Sequence, residues 1–115
     1  MVNRNWQDLA KLADLAFEAK AQRLALLRAQ ETSIEMQRDH LTIKDNQALT
    51  DFSGAHPSHW HDGHFHWQEW VSQNFKRLAI EQAKVRAQAE MQLPDLRKSF
   101  GRKTVLNGLA GKKTH

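Results

Sequence analysis

Five of the seven histidines fall within eleven residues, as His56, His59, His61, His64 and His66. Imidazole is the commonest transition-metal ligand, so His59, His61 and His64, with Asp62 between them, form a candidate site for zinc, nickel or copper if the segment curls around an ion. Against this, every candidate ligand is local, the chain has no cysteine, and the spacing matches no established site. The competing reading is a polar, aromatic connection whose imidazoles titrate near neutrality. Trp60, Phe65, Trp67 and Trp70 share the same interval. At helical spacing, Trp67 and Trp70 can plug the end of a helical pair; exposed, they would serve as an anchor for another protein, since tryptophan is enriched in binding hot spots. A third concentration is cationic. Residues 95 to 115 carry Arg97, Lys98, Arg102, Lys103, Lys112 and Lys113 against Asp95, a net of +5, whereas the other 94 residues hold 11 basic and 12 acidic side chains, a net of −1. Arg97, Lys98, Arg102 and Lys103 are the candidate partner-binding residues, suited to an acidic protein surface, a phosphate or a lipid headgroup; the plainer alternative is a solvated terminus.

Little else in the chain resembles reactive chemistry. There is no Gly-rich phosphate loop and no Cys nucleophile, and neither the Ser and His residues nor the carboxylates sit in a context that forms a pocket. The expectation is a non-enzymatic protein with no cofactor and no small-molecule substrate. Nucleic acid is disfavoured as a partner because aromatic and basic residues are segregated into different segments. No run approaches the ~20 apolar residues of a membrane span, and the opening MVNRNWQDLAKLAD interrupts its apolar residues with charge too often for a secretory signal. Cytoplasm is the expected compartment.

The elements that must position these residues are marked by two heptad stripes. The first runs through Trp6, Ala10, Ala13, Phe17, Lys20, Leu24, Leu27, Glu31, Ile34, Arg38 and Leu41 in alternating steps of four and three. The second runs through Val71, Phe75, Leu78, Gln82, Val85, Ala89, Gln92 and Leu96. A sustained 3.5-residue period keeps one side of a helix against a partner. The chain is therefore expected to be all-α, a single domain built as a long antiparallel two-helix coiled-coil hairpin with a His/Trp-rich connection and a short basic C-terminal extension. The seam is formed by Trp6, Phe17, Leu24, Leu27, Ile34, Leu41, Val71, Phe75, Leu78, Val85 and Leu96. Asn5 and Asp8 suit a helix start, placing helix one at about 5–43. The connection covers about 44–63 and helix two about 64–93. Pro94 removes a backbone donor and disfavours the α conformation at Leu93, so a kink is expected there, followed by a short helix ending near Phe100 and Gly101 and a basic tail within 95–115. Lys20, Glu31, Arg38, Gln82 and Gln92 interrupt the seams, where polar residues set register. In the antiparallel pairing Trp6 is expected to meet the region of Leu96 and Phe100. A dimer formed by the same stripes in two chains is the alternative to the hairpin.

The N-terminal LADLAFEAKAQRLALLRAQE, the return helix FKRLAIEQAKVRAQAEMQ and the basic turn SFGRKTVLNGL together resemble the FliJ/YscO family of bacterial type III export stalk proteins over roughly residues 5 to 100. The resemblance implies a cytoplasmic antiparallel coiled coil similar to the central stalk of rotary ATPases, as found in flagellar or other type III systems. It further implies insertion into a hexameric export ATPase, promotion of ring assembly, and contacts with the export gate and substrate chaperones. No family site residue carries over, because no local motif aligns.

Overall fold

In the computed structural model the chain forms two helices, α1 (Val2–Ser53) and α2 (Pro57–Lys113). The backbone is described for residues 2–53 and 57–113, and the side chains for residues 5–51 and 63–111. α1 contains neither Gly nor Pro, so nothing in its sequence interrupts the hydrogen-bond ladder. α2 opens on Pro57, whose fixed φ suits a first helical position and whose missing N–H is not needed there. Both helices take part in each of two compact units, one comprising Ala29–Arg86 and the other Met1–Arg28 with Ala87–His115.

In the unit of residues 29–86 the helix segments run antiparallel. As the α1 residue moves from Glu31 to Glu35 to Asp45, its hydrogen-bonded partner on α2 moves back from Arg86 to Gln82 to Trp67. The core consists of Ile34 and Leu41 from α1 and Val71 and Leu78 from α2, with Trp67, Phe75 and Val85 packed against it. Each seam residue lies three or four positions from the next, and the positions between them are mostly exposed. The hydrophobic drive is thus confined to one stripe per helix.

The unit built from residues 1–28 and 87–115 has the same antiparallel sense and a thinner core. Ala10 and Ala89 are buried, as is the hydroxyl-bearing Ser99. Phe17 and Phe100 meet ring to ring at 5.7 Å with a 55° tilt, a favourable offset geometry. Asn107 donates to the Asp14 carboxylate at 2.9 Å.

Four expectations are corrected. Helix one does not stop at 43. The polar Asp45 continues the seam because its carboxylate accepts the Trp67 indole N–H at 2.9 Å, and Ala48 follows half-buried. The connection is far shorter than 44–63, because α1 runs to Ser53 and α2 starts at Pro57; Gly54, Ala55 and His56 lie outside the described residues. Pro94 does not end or divide helix two, and Phe100 and Gly101 do not close a separate piece, since α2 continues to Lys113. Pro94 is exposed on the outer side of α2, so the carbonyl that loses its N–H partner faces water, while Ala89, Gln92, Leu96 and Ser99 keep the inner side packed. With α2 unbroken, Phe100 meets Phe17 rather than Trp6.

Candidate functional site

The predicted seam residues divide by burial. Ile34, Leu41, Val71 and Leu78 are buried, while Trp6, Phe17, Leu24, Leu27, Phe75, Val85 and Leu96 are half-buried. The polar interruptions in the unit of residues 29–86 form a network. Gln82, only 2% exposed, accepts a short hydrogen bond from Arg38 and donates to Glu35 at 2.6 Å. One turn further along α2, the Arg86 guanidinium meets the Glu31 carboxylate at 2.7 Å. The hydrogen bond that Arg86 donates to Glu31 holds its guanidinium more firmly protonated than usual, against the opposing effect of burial. Because a buried amide left without partners is costly, this ladder penalises any slip of one helix past the other.

At the other end of the same unit Trp67 is half-buried and hydrogen-bonded, whereas Trp70 is exposed; the two rings lie 5.1 Å apart. Trp67 therefore does the packing, and Trp70 covers it from outside. Of the histidines, His64 is half-buried and His66 is exposed with its ring 5.8 Å from Phe65. The side chains of His59 and His61 lie outside the described residues, as does all of His56. Among the described residues no three His, Asp or Glu side chains converge as a metal site would require.

The four cations proposed to bind a partner do not form one patch. Arg97, Lys98 and Arg102 are exposed, but Lys103 turns into the seam, half-buried, with its ammonium 4.6 Å from the centre of the Phe17 ring. Lys103 thus acts as a cation–π contact within the unit, and its butyl chain covers the small core. Arg102 borders a hollow between α1 and α2 and, with Lys98, an adjoining hollow formed by α2 alone, the two making one shallow trough. One hollow, of about 260 Å³, is lined by Leu9, Leu12, Ala16, Lys20, Arg102 and Leu106, among others. A second, of about 480 Å³, shares Arg102 and Leu106 and adds Lys98, Gly101 and Val105. Leu12 and Val105 are each 62% exposed. The sequence carried a signal for this trough that the seam reading passed over: Leu9, Leu12, Ala16 and Ala19 make a second stripe of 3–4 spacing beside the first.

No protein family matches this chain, and comparison with curated proteins and with solved structures finds no match. Among the described residues no helix is long and apolar enough to cross a membrane.

Proposed function

We propose that the protein is a non-enzymatic coiled-coil stalk or adaptor of a bacterial flagellar or other type III export apparatus, acting in the cytoplasm and engaging the export ATPase and the export gate. The observation that carries this reading is the hairpin itself, two helices of 52 and 57 residues packed along one stripe each. Such a pair spends its apolar stripes on itself, holds its register through the Arg38, Gln82 and Glu35 network, and leaves its remaining faces to partners. The exposed Arg97, Lys98 and Arg102 supply the charge for meeting acidic loops.

The test is capture from a lysate of a bacterium that carries a type III export system, using the tagged chain at near-physiological salt. The comparison is the triple charge reversal Arg97→Glu, Lys98→Glu and Arg102→Glu; Lys103 is left intact because it sits on Phe17. Recovery of the export ATPase or a gate protein by the wild type, and its loss in the triple variant, is the expected result. Recovery of neither protein overturns the reading.

A further inference from the structure

The trough in the unit of residues 1–28 and 87–115 combines three properties. Its floor and walls are apolar and small, with Ala13, Ala16 and Gly101 beside Leu9, Leu12, Val105 and Leu106. Its polar lining is basic, comprising Lys20, Lys98 and Arg102 together with the hydroxyl of Ser99, and no carboxylate lines either hollow. Among the described residues no ion pair neutralises any of these three cations, not even with Asp95, which precedes Lys98 by three positions on α2. Two other cations do have acidic partners, Arg86 on Glu31 and Arg77 on Glu81.

We propose that this trough is the docking site for one amphipathic α-helix of a protein partner, its apolar stripe laid on Leu9, Leu12, Val105 and Leu106 and its acidic flank facing Lys20, Lys98 and Arg102. An amphipathic helix laid in an apolar groove is a recurring recognition mode, and the unpaired cations set the charge of the occupant. From Leu9 to Ala16 the trough covers two turns of α1, about 10 Å, which suits a helix of a few turns crossing or lying along it. A second copy docked by the same face would bring Lys98 and Arg102 against their own counterparts, so charge disfavours a two-fold self-contact. The inference rests on the adaptor reading for the existence of a protein partner, but not on which machine supplies it.

The experiment uses two fluorescent, hydrocarbon-stapled helical peptides of about four turns, each with Leu and Ala along one face, and with the flanks all Glu in one and all Lys in the other. Binding to the full chain is read by fluorescence anisotropy at low and physiological salt. The acidic peptide is expected to bind and the basic one not to, and Lys98→Glu with Arg102→Glu should weaken the acidic peptide by at least ~10-fold. Gly101→Leu should abolish binding by filling the trough while circular dichroism shows its helix content unchanged. Equal binding of both peptides, no binding of either, or a Gly101→Leu variant that is fully helical and still binds would overturn the proposal. So would a wild-type dimer in sedimentation, or binding to vesicles containing phosphatidylserine, if Gly101→Leu removes it. If the acidic peptide binds as described while no export ATPase is recovered from lysate, the docking site stands and the export reading falls.

Discussion

Replacing Leu78 by alanine tests the claim that a single stripe per helix holds the unit of residues 29–86. Leu78 is 2% exposed and sits in the core with Ile34, Leu41 and Val71. The substitution removes three buried carbons, worth about 0.8 kcal/mol each in transfer, or about 2.4 kcal/mol. A deep core would add a further cavity cost. Here Leu41 and Leu78 already border a hollow of about 140 Å³ open to solvent, so water can enter the space and the added cost is small. The expected loss is therefore about 2.5 to 3 kcal/mol, in the lower part of the 2–5 kcal/mol range for such changes. For a chain of 115 residues that corresponds to a drop in Tm of about 10 °C. The assay is urea and thermal unfolding followed by circular dichroism at 222 nm, with Leu26→Ala as control, since Leu26 is 67% exposed and should shift stability by under ~0.5 kcal/mol. A Leu78→Ala loss under ~1 kcal/mol, or one no larger than that of the control, would refute the reasoning.

Other consequences are more local. Gln82→Leu leaves Arg38 and Glu35 without their shared amide, and should lower stability by about 1–3 kcal/mol in urea unfolding despite the gain in apolar character. A more stable variant would show that the network sets nothing. Trp67→Phe and Asp45→Ala, taken singly and together, should give a coupling of about 1 kcal/mol in a double-mutant cycle, because the hydrogen bond between them is half-buried. Gly108→Ala should stabilise by about 0.5–1 kcal/mol, since Gly108 is helical and a Cβ there meets nothing within 4 Å; an unchanged urea midpoint would contradict the geometry. Pro94→Ala should raise both helix content and Tm, given the lost hydrogen bond in an otherwise continuous α2, and a fall in either would mean that the proline is required by the packing.

The helical pairing could be read from the spacing of large apolar residues, because a 3.5-residue period has few other physical meanings. What could not be read was where polar residues would take over the same duty. Asp45 is invisible to a hydrophobic count, yet it occupies the seam because Trp67, 22 residues away, brings an indole N–H to it. Lys103 looked like part of a basic patch and instead lies over Phe17, a contact that exists only once α2 runs unbroken through Pro94. Pro94 itself misled because local propensity opposes a helix there, while the packed inner positions on both sides favour one and the proline faces solvent. The hollow between the helices needed both in place: Leu12 on α1 and Leu106 on α2 are 94 residues apart in sequence and line one hollow only through the antiparallel register.

The most direct test of the central claim is to add the purified chain to a purified type III export ATPase and follow ring formation by mass photometry together with ATP hydrolysis. A stalk should shift the ATPase from monomers to hexamers carrying the chain and raise hydrolysis in step. The Arg97→Glu, Lys98→Glu, Arg102→Glu variant should do neither while remaining helical. An ATPase whose assembly and hydrolysis are the same with and without the wild-type chain would contradict the account.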